Sequence, residues 1–350
     1  MGDLVRFGSA DERWLRDALR LEQLVTARAL RTTAVRTIAK ESLLQPSRLL
    51  ALTERIEAAG ALVLSFNMLE SARRVWDITD AHAAGMALFH QARICRTMGA
   101  TDRAEQYYAS LIRHALRRRL PDLRGRALVG RGVLHGMRGE LAAAYRAFAQ
   151  ARKVARGTPS IVAAAYHGEM AAALAQGDFS RAILAGTGAL HSSGLAGHEE
   201  AAVLINIAAI ALRVQQPRAA AMVLRRAMRR TRHPRLRLHA LGKSALAAAA
   251  MGLRDDVAQW ARRLTSARTR VCVPAEELEA RSELAQAWLL VGETARARRL
   301  AQAVRAQAVP LQLSIIVGRC DAILRNRLYV LPPVRLSRPA QHTVLAFEAP

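Results

Sequence analysis

Aromatic residues are scarce: they make up 4% of a 350-residue chain that is 51% hydrophobic. Its apolar surface is therefore built mainly from small and aliphatic side chains, alanine above all, which suits closely packed helices and leaves little to build strands from. Cysteine is almost absent. Cys95, Cys272 and Cys320 are odd in number, far apart and lack C-x-x-C spacing. That pattern excludes a disulfide framework or a zinc ribbon and fits a reducing compartment, the cytoplasm. The longest apolar run, Ala201 to Leu212, falls short of the roughly 20 residues of a membrane span. No apolar segment near Met1 reads as a secretory signal, and a soluble chain is expected.

Acidic residues are also few, 28 against 53 basic ones, giving a formal charge of +25. Lysine is nearly missing: Lys40, Lys153 and Lys243 are the only ones, and arginine supplies the rest. Two readings stand side by side. Forked guanidiniums suit carboxylate and phosphate partners, and a GC-rich genome favours arginine codons without any binding role.

What the chain does have is a period. Tight-turn residues are followed five positions later by a small apolar residue: Gly99 and Ala104, Gly139 and Ala144, Gly177 and Ala182, Gly252 and Val257, Gly292 and Ala297. Asn67 with Ala72 and Gln216 with Ala221 read as degenerate copies. Pro121, Pro159, Pro234 and Pro274 each stand 18 residues before a turn, where proline at a first helical position loses no hydrogen bond. Seven residues before the turn a small residue recurs, with Met170 the exception. Each unit thus reads as a helix, a glycine turn and a second helix, whose apolar faces are buried only by stacking on the next unit.

Here the residues resemble a known family. "AYHGEMAAALAQGDFSRAILAGTGAL" (165–190) is similar to a tetratricopeptide repeat (TPR) through Gly177, Asp178, Phe179, Ala182 and Ala189. "GRGVLHGMRGELAAAYRAFAQA" (130–151) matches through Gly132, Leu141, Ala144, Phe148 and Ala151. The period, near 38 residues, is longer than the standard repeat and resembles the helical sensor arrays of large bacterial transcription activators. The resemblance implies an all-α, right-handed α-solenoid of about seven TPR-like hairpins over 46–328, with a C-terminal capping helix opened by Pro310. Residues 1–45 read as an N-terminal capping helix region, and 329–350 as an extended tail in which "TVLAF" either pairs as a strand or stays disordered.

In such repeats, first-helix residues ten, six and three before the turn face a concave groove. Carried onto this chain, they give Arg93, Arg96, His167, Asn206, Arg213, Ser282 and Gln286 as a partner-binding set. Asn206 interrupts the most apolar stretch, and a buried amide without a partner costs about 1–3 kcal/mol. It either holds an extended peptide or bonds a neighbouring helix. Arg93, Arg96 and Arg213 suit carboxylates in forked geometry. A regulatory adaptor or scaffold that binds an acidic protein or peptide segment is expected. The run "RRAMRRTRHPRLR" offers the alternative, anion binding by Arg225, Arg226, Arg229 and Arg230, nucleic acid included. A solvated helix face explains the same run. No aromatics are interleaved there for base stacking.

Catalysis has no sequence support. "GRALVGRGVLHG" (125–136) lacks the phosphate-loop lysine and sits inside an expected helix, and "GHEEA" (197–201) reads as a helix start, with Glu199 and Glu200 at the positive end of the dipole. No catalytic residue, metal or cofactor is expected.

Overall fold

The structure, a computed structural model, describes residues 46–58, 62–192, 194–268, 274–311, 313–328 and 334–347. Among these every regular element is a helix. Paired in chain order, they are α1 (Pro46–Ala58) with α2 (Leu62–Thr79), α3 (Ala81–Thr97) with α4 (Thr101–Arg118), α5 (Pro121–Met137) with α6 (Leu141–Val154), and α7 (Pro159–Ala175) with α8 (Phe179–His191). Then come α9 (Gly197–Arg213) with α10 (Pro217–Arg230), α11 (Pro234–Ala250) with α12 (Arg254–Arg268), α13 (Pro274–Leu290) with α14 (Thr294–Ala308), α15 (Ser314–Leu324) and α16 (Arg338–Ala346). The second helices begin at intervals of 37 to 40 residues. The chain divides after Ala172 into two compact units. In each, a first helix packs on the next first helix as well as on its own partner: α3 on α5 in the N-terminal unit, and α9 on α11, α11 on α13 and α13 on α15 in the C-terminal unit.

The turns are built as the glycines require. Gly99, Gly139, Gly177, Gly252 and Gly292 all take φ between 73° and 82°, a left-handed conformation open to glycine without cost. Each of these turns repeats the bonds seen at Gly139, whose N–H donates to Gly136 O while Glu140 N–H donates to His135 O. The sixth turn does not lie at Gln216. Gln215 takes the left-handed φ of 62°, and Gln216 is the N-cap of α10. Nor is there a turn at Asn67, which lies inside the unbroken helix α2; the break before α2 falls between Ala58 and Leu62.

With the turn at Gln215, the repeat is more regular than the sequence suggested. Five, nine and twelve residues after the turn, second helices bury Ala104, Tyr108 and Leu111; Ala144, Phe148 and Ala151; Ala220, Leu224 and Ala227; and Ala297, Ala301 and Val304, while Ala261 of α12 is only half-buried. Seven residues before the turn, the first helices bury Ala92, Met170, Ala208, Ala245 and Ala285. Gly132 at this position is where Phe148 enters, since a Cβ there, or at Gly168, would stand 2.5 Å from Phe148 Cε1. Tyr108 lies against Gly130 in the same way. Ring and missing side chain together set the helix spacing.

The ends depart from expectation. The proposed N-terminal capping helix lies outside the described residues. Pro310 sits in a turn, and the capping helix α15 begins only at Ser314. The tail is not extended throughout: Arg338–Ala346 is a helix with proline in its first turn, and "TVLAF" belongs to it rather than to a strand. This helix, α16, packs on α8 through buried Ala340 and Val344. Ser337 N–H also donates to Ser180 Oγ at 2.8 Å.

The turn geometry makes a test. Left-handed backbone costs a side-chain-bearing residue about 1–2 kcal/mol, part of which is offset by the lower chain entropy of the unfolded state. Gln215→Gly should therefore stabilise the protein, and Gly139→Ala, with no atom within 4 Å of the added Cβ, should destabilise it, each by about 1 kcal/mol. Urea unfolding measures both; a change of opposite sign in either removes the turn assignment.

Candidate interaction surfaces

Six residues before each turn, next to the buried small position, stands a residue that is only partly covered. In the N-terminal unit these are Arg93, Val133 and Ala171, all half-exposed or exposed. In the C-terminal unit they are Ala209, Leu246 and Gln286, flanked by half-exposed Leu174, Leu212 and Leu289 three before the turn. Where the first helices pack on one another, α3 on α5 and α9 on α11 on α13, these positions form a row. Most of its members are apolar.

The sequence-derived set divides when placed on this frame. Arg93 lies on the row but is engaged: Nη2 donates to Glu57 Oε2 at 2.6 Å and meets His90 Nδ1 at 3.1 Å. Arg96 hydrogen-bonds Tyr108, whose hydroxyl pKa is raised by burial against the pull of Arg96 and Arg93. His167 is half-buried on α7 and Gln286 half-buried on α13. Ser282 is fully buried, donating to Glu279 O at 2.7 Å and accepting from Arg319 Nη1 at 2.6 Å. The one-residue correction at Gln215 moves Asn206 and Arg213 off the row, to nine and two before the turn, and puts Ile205, Ala209 and Leu212 in the expected places. Arg213 instead covers Phe179, its guanidinium 4.3 Å from the ring centroid, and burial lowers its pKa. Arg93, Arg96 and His167 belong to the N-terminal unit, the other four to the C-terminal unit.

The four arginines of α10 also separate. Arg226 Nη2 and Arg230 Nε hold the two oxygens of Glu200 at 2.8 and 3.1 Å, binding α10 to the start of α9. Arg225 and Arg229 point to solvent. Glu199 Oε2 accepts from Ala196 N–H at 3.0 Å, so "GHEEA" caps α9.

One cluster was missed from the sequence. Lys243 and Glu283 both stand nine residues before their turns, on α11 and α13. They are buried and meet at 2.8 Å. Glu279 adds a second carboxylate 3.7 Å from Lys243 Nζ and lies 3.4 Å from His239 Nδ1. Burial pulls the Lys243 pKa down, but Glu283 and Glu279 overcome it and the net shift is upward. Gly242 makes the contact possible, since a Cβ there would stand 2.9 Å from Ala280 Cα. A signal did exist: Lys243 is one of three lysines in the chain, and Glu283 lies 40 residues on, one repeat away.

Cys95 and Cys320 are buried. Burial raises the Cys95 thiol pKa and pushes Cys320 up to about 11, which leaves both protonated and unreactive at neutral pH. Among the described residues no helix is long and apolar enough to cross a membrane.

No protein-family profile matches the chain, and no curated protein matches it. Among solved structures it is similar to the TPR domain of P58(IPK), at 14% identity, over 87% of this chain and 97% of that chain, with a TM-score of 0.24. So slight a superposition adds nothing to the argument, and the helical-repeat fold rests on the hairpins described above.

Removing one partner of the buried pair leaves a charge without compensation, at a cost of about 3–5 kcal/mol. Lys243→Met should lose that much stability, and Lys243→Met with Glu283→Leu should recover most of it. Since the folded pKa of Lys243 lies above the unfolded one, the pair contributes fully below about pH 10.4, and its contribution is lost as pH rises through the folded value. Urea unfolding across alkaline pH should show a decline that the double variant lacks; an identical decline in both contradicts the pairing.

Proposed function

We propose that the chain is a non-catalytic interaction module, a scaffold or regulatory adaptor, whose inner row takes an extended or helical segment of a partner protein. The observation that carries this reading is the row itself. In the hairpins whose turns are described, the residue seven before the turn is buried while its neighbour six before the turn stays partly exposed, although most such neighbours are apolar. A row of partly exposed apolar side chains is a surface that a partner can cover. An acidic partner fits best, because 28 carboxylates cannot neutralise 53 cations and the pairs described above already occupy many of those carboxylates. Arg226 and Arg230, half of the nucleic-acid alternative, are each already paired with Glu200, so protein is the favoured class of partner.

Leu174→Glu with Leu212→Glu places two carboxylates along the inner row of the C-terminal unit. Affinity capture from a nuclease-treated lysate should retain a defined set of proteins on the wild type and lose it on this variant, with the thermal midpoint nearly unchanged. An unchanged captured set means that the inner row is not the binding surface. Capture that vanishes with nuclease, or falls steeply with salt toward generic duplex DNA, replaces protein by nucleic acid.

A further inference from the structure

The second helices carry a different kind of site, and the chain itself shows how it is used. On α8 the residues three, six and ten after the turn are Ser180, Ile183 and Thr187; on α10 they are Arg218, Ala221 and Arg225. The α8 face is covered. Ser180 receives the N–H of Ser337, Ile183 is fully buried, and α16 lies on it through two small apolar residues four apart. The corresponding face of α10 is open. It forms one wall of a cavity of about 480 Å³, with Met222 beside the three residues named, Ala248 and Met251 of the α11 segment as floor, and Trp260 of α12 opposite. This volume lies within the range of pockets that enclose ligands, about 300–1,000 Å³.

We propose that the groove between α10 and α12 is a docking site for a short amphipathic helix of a partner protein, one that seats apolar residues four apart on Ala221, Ala248 and Met251 and presents a carboxylate to Arg218 and Arg225. The seated α16 shows that this face of the repeat accepts a short helix. The change of residue type sets the partner's chemistry. Ser180 accepts a hydrogen bond from a helix N-terminus, whereas Arg218 can only donate and so calls for a carboxylate in the same place. Arg218 and Arg225 are exposed and hold no carboxylate among the described residues. Asp256, on the opposite rim, leaves the α10 side positive. A second copy of the chain is a poor occupant: α16 carries no acidic residue, and its Arg338 would face Arg218. The groove is separate from the inner row and does not depend on it.

A displayed library of short helical peptides, selected on the full chain, provides the probe. Enriched sequences should carry apolar residues four apart with acidic residues beside them, and binding of a selected peptide should change the fluorescence of Trp260. Ala221→Phe, which fills the groove from a half-exposed position, and Arg218→Glu with Arg225→Glu should each weaken that peptide by about tenfold or more. Leu174→Glu with Leu212→Glu, the inner-row variant, should leave it unchanged, so that the two surfaces fail or stand separately. The proposal is overturned if selected peptides bind Ala221→Phe as well as wild type, if a scrambled peptide of equal composition binds equally, if duplex DNA displaces them at matched charge, or if the groove variants instead abolish self-association of the chain.

Discussion

Everything in each unit depends on how closely two helices can approach where a side chain is missing. Phe148 is held between Gly132 of its own hairpin and Gly168 of the next, and neither contact survives a Cβ. Tyr108 uses Gly130 in the same way. In both cases a large residue nine after one turn meets a glycine nine before the next. Farther along the chain the residues nine after the turn are smaller, Gly186, Leu224 and Ala261, and the next first helix carries Asn206, Lys243 or Glu283 at the facing position. Along the repeat the chemistry at this contact passes from an aromatic ring on glycine to polar side chains facing smaller residues.

That exchange explains the buried Lys243–Glu283 pair. A small residue in the second helix leaves room between first helices, and long polar side chains fill it by reaching each other across α11 and α13. Two buried charges contribute little net stability, because desolvation offsets most of their attraction. What they fix is the pairing: sliding α13 along α11 would strand both charges, whereas an apolar contact of the same size would tolerate the slip. Arg319 on Ser282 extends the same polar layer to α15.

Legibility in the sequence followed glycine. Every turn marked by a glycine with a small residue five positions on was read correctly, and Pro121, Pro159, Pro234 and Pro274 do open helices. Asn67 misled because Ala72, five residues on, is buried on the apolar face of α2 itself, so a small apolar residue at that spacing marks a helix face as well as a turn. Gln215 misled because its left-handed backbone carries no glycine to announce it. One residue rotates a helix by about 100°, enough to take Asn206 from the inner row to the helix contact. In the tail, the β-branched and aromatic "TVLAF" looked like a strand, but seating on α8 decided the conformation, as tertiary contact does for short segments of weak propensity.

The arginine excess also has a structural division of labour. Carboxylates are mostly spent tying one helix to the next: Glu57 to Arg93, Glu105 to Arg131, Glu169 to Arg152, Glu200 to Arg226 and Arg230, and Asp321 to Arg305. Each such pair crosses between elements, where the geometry is held by packing on both sides. With the acids committed to these ties, surplus cations must face solvent, and on α10 they do so beside an open, partly apolar groove. Charge alone would make this surface attract any polyanion. The apolar floor beneath Arg218 and Arg225 is what can turn that general attraction into a preference, because only a ligand that pairs carboxylates with buried methyl groups gains from both.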